Sequence, residues 1–246
     1  ILMYFLLLNF WNLLKRKYLI LLVLKILIGV LFQAFFFGIL LLPIAGGYWF
    51  EAYFLIILHI AIAIPYGIYS AIYYPKGMEA RMVLSSENQP KKDKIIYDSI
   101  SAVMIFGSLL SPTDIFYLQV FEKAPLGLQI LGLIIYFSGF AIVGKAQNQN
   151  DFIEPIVEIQ TDRGHRIIDT GLYAYIRHPM YSGFLLFFSG MALWHGSIFA
   201  LLLVPLVLFF LLSLRIKGEE EVLENEFNEY LEYKEKVKAK LIPGIF

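Results

Sequence analysis

Residues 171–220 read GLYAYIRHPMYSGFLLFFSGMALWHGSIFALLLVPLVLFFLLSLRIKGEE, two uncharged apolar runs, Met180–Leu193 and Ile198–Leu214, parted only by Trp194, His195, Gly196 and Ser197. Runs of this length and composition suit lipid better than water. A connector of four residues folds the second run back on the first as a helical hairpin. At 1.5 Å per residue the runs reach roughly 21 and 26 Å. That is short for a hydrocarbon core of roughly 30 Å, so they either extend into their flanks or thin the bilayer locally. Polar side chains crowd the entry to the hairpin (Tyr173, Tyr175, Arg177, His178, Tyr181) and its exit (Arg215, Glu219, Glu220, Glu221). Folding back brings both groups to one side.

Toward the N-terminus the apolar pattern repeats. Tyr18 to Leu42, Trp49 to Tyr74, Ile95 to Leu110 and Leu126 to Val143 are four further candidate spans, punctuated by Pro43, Gly46-Gly47 and the polar stretch Pro75 to Lys94. Ile1 to Leu14, apolar but broken by Asn9 and Asn12 and followed by Lys15-Arg16-Lys17, reads as an interfacial helix and not a signal peptide. The chain is 59% hydrophobic and 16% charged, against about 25% charged for a soluble domain. The expected fold is therefore all-α: a polytopic bundle of about six spans with a C-terminal hairpin and an amphipathic cytoplasmic helix over Glu219 to Glu235. Two regions follow from this, 1–144 with the interfacial helix and spans one to four, and 145–246 with a polar loop, the hairpin and the last helix. With the N-terminus inside, eighteen of the twenty Lys and Arg fall on the cytoplasmic side. Lys123 lies outside, and Lys25, within the first span, can snorkel inward. Both termini and the polar cluster are thus expected at the cytoplasmic face of a multi-pass membrane protein.

Net charge is zero and no basic patch forms, so nucleic acid is not an expected partner. With no cysteine, and four histidines too scattered for a ligand set, no metal site is expected. No glycine-rich fingerprint follows a strand pattern, so a Rossmann site is unsupported. Any cofactor pocket must be made of helices and loops. Pro179 suits the first turn of the fifth span, because its missing N–H would be unpaired there anyway. The free backbone donors and partial positive charge of that helix start suit a carboxylate ligand. Arg215, with its planar fork, suits a second carboxylate. Glu219 and Glu220 stand beside the hairpin exit, whereas the later glutamates up to Glu235 alternate with apolar residues as the wet face of a helix. His59, mid-span among Ile57, Leu58 and Ile60, is costly without a partner, which the sequence does not name. His195, in the exterior turn, and His165, in the loop, read as solvated, and Asp98 as facing protein or headgroups.

Gly171-Leu-Tyr-Ala-Tyr-Ile-Arg177-His178-Pro179-Met-Tyr181, two short helices and then Arg215-x-x-x-Glu219-Glu220 resemble the isoprenylcysteine carboxyl methyltransferase family. Glu158-Ile-Gln160, Arg163-Gly164-His165-Arg166 and Leu241-Ile-Pro243-Gly244 resemble the flanks of a bacterial branch, which implies a prokaryotic cytoplasmic membrane. The resemblance covers about 152–246 and departs from relatives at Leu172, where proline is common, and at Phe227-Asn-Glu-Tyr230, one residue short. It implies S-adenosyl-L-methionine in a cytoplasm-facing pocket contacted by Tyr175, Arg177, His178, Pro179, Tyr181, Glu219 and Glu220, with Arg215 and Glu219 in catalytic roles. The acceptor implied is a lipophilic molecule entering from the bilayer among membrane lipids. Carboxyl methylation leads; phospholipid N-methylation, thiol S-methylation, a nicotinamide-dependent sterol-type reductase and a non-enzymatic membrane protein or transporter stand as alternatives. In the loop 145–177, Val157-Glu-Ile-Gln and Arg166-Ile-Ile-Asp could pair or cover the cofactor as a lid. Nothing in the pattern fixes an oligomeric state.

Overall fold

The structure, a computed structural model, describes residues 2–81, 91–154 and 164–244, with side chains omitted at 2–16, 36, 37, 40 and 80. Among the described residues all regular structure is helical. The elements are α1 (Leu2–Ile44), α2 (Phe50–Tyr73), α3 (Pro75–Ala80), α4 (Lys91–Thr113), α5 (Leu126–Gln149), α6 (Pro179–His195), α7 (Ile198–Glu226) and α8 (Asn228–Lys236), with a π turn at Asp114–Leu118 and a 3-10 turn at Gly171–Ala174. Five of these helical segments, Lys17–Phe35, Phe50–Tyr73, Lys91–Leu118, Leu126–Gln149 and Ile198–Glu226, are long and apolar enough to cross a membrane. Helix α6, with 17 residues, spans about 25 Å at 1.5 Å per residue.

Two boundaries differ from the sequence reading. The expected interfacial helix is not separate: α1 runs unbroken for 43 residues, since Lys and Arg are good helix formers and neither Gly nor Pro interrupts residues 9–17. The expected amphipathic helix from Glu219 to Glu235 is divided. Helix α7 continues the sixth span to Glu226 without a break, Phe227 is extended (φ −127°, ψ 106°), and α8 starts anew at Asn228. Of the four residues between the apolar run and the glutamates, Arg215 to Gly218, only Gly218 is a poor helix former, and one helical Gly costs about 1 kcal/mol, too little to end a helix. Arg215 and Glu219, four apart, therefore share a face of one continuous helix. The boundary at 144/145 lies inside α5, so packing continues across it.

The hairpin closes as its four-residue connector requires. Gly196 ends α6 at φ 89°, and the Ser197 hydroxyl accepts from Ala200 N at 3.0 Å to cap α7. Ser197 in turn donates to Asp114 Oδ2 at 2.6 Å, and Asp114 is 1% exposed. The turn is not solvated. Ala124 N donates to Gly196 O, Trp194 Nε1 donates to Glu51 O, and the Trp49 ring lies 4.5 Å from that of His195, which is wholly buried. The sequence could not show that the residue 119–124 loop and the start of α2 fold over this end. His59, by contrast, has its partner: Nδ1 lies 2.8 Å from the Tyr136 hydroxyl of α5. Asp98 is exposed.

Helices α5 and α6 are the most intimately packed pair. A Cβ added at Gly132 or Gly139 would sit 2.5 Å from Trp194 N or Phe187 N, and one at Gly190 would sit 2.3 Å from Tyr136 N. Glycines seven apart on each helix (Gly132 and Gly139; Gly183 and Gly190) let the backbones touch, the device that substitutes for hydrophobic driving force in lipid. Leu208, Leu212 and Ile216 of α7 fill the remaining core against Phe188, Met191 and Ile100. Gly139→Leu is expected to destabilise the protein in detergent by at least the roughly 1–3 kcal/mol of overpacking. Gly127→Ala, with open space at its Cβ, should stay within about 0.5 kcal/mol. Equal melting temperatures for both variants would refute the close approach.

Candidate active site

The two polar clusters at the hairpin ends meet. Arg177 and His178 precede α6, Tyr181 lies in its first turn, and Arg215, Glu219 and Glu220 occupy the C-terminal half of α7. Glu219 accepts from the Tyr181 hydroxyl and from Arg215 Nε, the latter at 2.8 Å. Glu220 accepts from Arg177 Nε at 2.8 Å and has Lys240 Nζ at 3.4 Å. His178 stands between the two carboxylates, with Nδ1 3.5 Å from Glu219 and Nε2 3.3 Å from Glu220. Its ring is parallel to that of Tyr181 with centroids 5.9 Å apart.

Burial makes these pairings obligatory. Arg177, Arg215 and Glu220 are each less than 9% exposed, and removing one member of a buried pair costs about 3–5 kcal/mol because the other charge is left unsolvated. Burial by itself would lower the His178 pKa, but its hydrogen bonds to Glu219 and Glu220 outweigh that and raise it above the ordinary value. The imidazole is thereby biased toward its cation, both N–H groups facing carboxylates.

The C-terminal segment completes the enclosure. Arg177 N and His178 N donate to Ala239 O and Lys240 O, the Ser182 hydroxyl donates to Leu241 O at 2.6 Å, and Arg177 Nη1 donates to Val237 O and Lys238 O. An extended strap thus ties the start of α6 to the chain beyond α8. Tyr233 reinforces it by donating from its hydroxyl to Tyr173 O at 2.7 Å.

A cavity of about 150 Å³ opens beside this cluster. Arg177, His178, Tyr181 and Glu219 form its polar wall; Tyr173, Met180, Val222, Leu223, Tyr230 and Tyr233 supply apolar surface; Phe152, His165, Ile167 and Ile168 lie across it. His165 is half-buried, its ring stacked on Phe152 at 4.5 Å, and is not a freely solvated loop residue. Residues 165–168, which hold the first three residues of Arg166-Ile-Ile-Asp, therefore border the cavity, whereas Val157-Glu-Ile-Gln and the Glu158–Arg163 part of the motif lie outside the described residues.

Not every expected residue reaches the cavity. Tyr175 is 75% exposed: the 3-10 turn ends at Ala174, and it is Tyr173 that faces inward, its hydroxyl donating to Ala146 O. Pro179 is buried at the first position of α6 and sets the helix start without lining the cavity. Glu220 is committed to Arg177, His178 and Lys240, and Arg215 lies behind Glu219. Three contributors were not singled out from sequence. Tyr230 and Tyr233 read as the apolar side of an amphipathic helix, and Asp93 lies in the polar stretch Pro75 to Lys94, yet it accepts from Arg215 Nη1 at 2.6 Å. No local signal marks that long-range contact.

The lining offers a carboxylate for hydroxyl and ammonium groups and aromatic and apolar walls for a purine, a set that fits S-adenosylmethionine.

Comparison with known proteins agrees with this layout. Residues 124–230 match the family described as phospholipid methyltransferase, which extends the likeness upstream over α5. Over 131 residues the chain is 32% identical to the protein-S-isoprenylcysteine O-methyltransferase of Schizosaccharomyces pombe, covering 52% of this chain and 53% of that protein. Over 83 residues it is 37% identical to the protein of the same name from Saccharomyces cerevisiae, covering 33% and 35%. The chain thus spans about half the length, or less, of these curated relatives. The eukaryotic intramembrane Ras methyltransferase, isoprenylcysteine carboxyl methyltransferase, shares its fold at a TM-score of 0.52 and 18% identity, over 95% of this chain and 86% of that one. The N-terminal helices, outside the sequence resemblance, fall within that shared fold. Through the paired hairpin motifs, the match over residues 124–230 and the relatives named above, the C-terminal half of this chain is similar to isoprenylcysteine carboxyl methyltransferases.

Proposed function

We propose that this protein is an integral membrane methyltransferase that uses S-adenosylmethionine to methylate the carboxylate of a lipophilic, isoprenylcysteine-like acceptor, with the site and both described ends of the chain on the cytoplasmic side. The observation that carries the proposal is the convergence of His178, Tyr181 and Glu219 on one wall of the cavity, with the buried Arg215 directly behind. The cofactor supplies a methyl group on a cationic sulfur. Glu219 would offer it a fixed negative charge on the cavity wall.

Arg215, held rigidly on α7, would hold the acceptor carboxylate. With a reference pKa near 3.5 that carboxylate is ionised at neutral pH, so no residue has to take a proton. The chain's work is alignment and exclusion of water. Phospholipid N-methylation is the second reading, favoured by the description of the family matched over 124–230. An amine acceptor needs a base, however, and His178, biased toward its protonated form between two glutamates, is poorly suited to that task.

Incubation of the purified protein with methyl-labelled cofactor and an S-farnesylcysteine derivative should give a base-labile methyl ester; a base-stable product on a phospholipid amine would overturn the carboxylate reading. Glu219→Gln is expected to weaken S-adenosylhomocysteine binding at least about tenfold, the effect of 1.4 kcal/mol. Arg215→Ala should leave that binding within about twofold while lowering turnover by at least about two orders of magnitude. Unchanged calorimetry and kinetics would refute these roles. A raised folded pKa for His178 also means that its ion pairs contribute fully below the ordinary value near 6.5 and are lost as pH climbs through the raised value. The melting temperature should therefore fall above neutral pH, and His178→Gln should flatten that fall; a profile identical to wild type would show that His178 does not carry it.

A further inference from the structure

Arg215 is 3% exposed and its guanidinium is already engaged: Nε donates to Glu219 at 2.8 Å, Nη1 donates to Asp93 Oδ1 at 2.6 Å, and the Tyr97 ring lies 5.9 Å away, centroid to Cζ. The two carboxylates differ in kind. Glu219 stands four residues along the same rigid helix, so it is locked to Arg215 by α7 itself. Asp93 comes from another helix, in the first turn of α4, and its side chain is 13% exposed against 4% for that of Arg215. Its tie to Arg215 is not fixed by a shared helix, so the contact can part by rotation of the Asp93 side chain alone. Helix α4 also lies outside the segment 124–230 that matches the family.

On the reading that Arg215 receives the acceptor, we infer that Asp93 is an internal stand-in for the acceptor carboxylate, which displaces it from Nη1 when it docks. With Nε held by Glu219, the Nη1 side of so buried a guanidinium still needs an acceptor between turnovers, because a buried donor without one is costly. Exchange of one carboxylate for another keeps the cation paired at every stage. It also makes acceptor binding a competition, so that Asp93 sets the affinity and discriminates against ligands that lack a carboxylate. Glu219 and Tyr97 keep the fork aimed while the partner on Nη1 changes. No bond is made or broken in the exchange.

The distinguishing feature of a competitor is that its removal tightens binding. In the full chain in nanodiscs, with S-adenosylmethionine and an S-farnesylcysteine derivative, Asp93→Asn is expected to lower the acceptor KM at least fivefold. The Kd for S-adenosylhomocysteine should stay within twofold of wild type. Asp93→Glu, which keeps the charge, should not show the gain. A damaged support for Arg215 would instead raise KM or lower kcat alone, and either result overturns the inference, as does an equal gain in Asp93→Glu. Asp93→Ser is the second neutral variant. If neither neutral variant folds, the inference also falls, because a carboxylate that the fold cannot lose is not one that an acceptor can displace. Arg215→Ala separates this inference from the reading beneath it. Loss of turnover there, with no gain in Asp93→Asn, leaves Arg215 as the acceptor residue and removes Asp93 alone; full turnover there removes the reading itself.

Discussion

Everything at the functional end of this bundle depends on His178 being held between two carboxylates that arrive from one helix. Glu219 and Glu220 are consecutive, so on α7 they diverge by about 100°, the angular step of a helix with 3.6 residues per turn. An imidazolium reaches both because its two N–H groups also diverge. One glutamate is thereby turned toward Tyr181 and Arg215 at the cavity wall, the other toward Arg177 and Lys240 inside the protein. The division of labour between neighbouring, chemically identical side chains is a matter of helical phase.

That interaction fixes the rest of the enclosure. Because Arg177 is committed to Glu220, its remaining donors turn to the carbonyls of Val237 and Lys238, and the backbone at 177 and 178 pairs with 239 and 240. Loop, hairpin and strap then form one enclosure despite their distance in sequence. The apolar core of α4, α6 and α7 supplies rigidity, and the glycine faces of α5 and α6 hold the hairpin in register.

Much of this was legible in the sequence, for identifiable reasons. A four-residue connector between two uncharged runs permits only a hairpin, and that alone places Arg177, His178 and Tyr181 beside Arg215, Glu219 and Glu220. The uninterrupted lengths of α1 and α7 were harder to see, because charged residues mark the edge of a membrane and also favour helix; polarity and helicity are separate properties. Burial of His195 depended on Trp49, 146 residues away in sequence, and Asp93 on Arg215, which lies 122 residues away. Contacts of that range leave no periodicity to read. The facing direction of Tyr175 hinged on where a 3-10 turn ended, a shift of one or two residues that composition does not encode.

The unbroken course of α7 joins the two faces of the molecule. Its first turn is latched by Ser197 to the buried Asp114, and its C-terminal half carries Arg215 and Glu219. With both marks on one stiff rod, a slip of a single turn, about 5.4 Å, would carry Arg215 or Leu223 into the level now held by Glu219. The latch at the far side therefore acts as the zero of a vernier scale read at the near side: a small disturbance of the serine–aspartate contact would be felt as misalignment of the chemistry across the full depth of the bilayer.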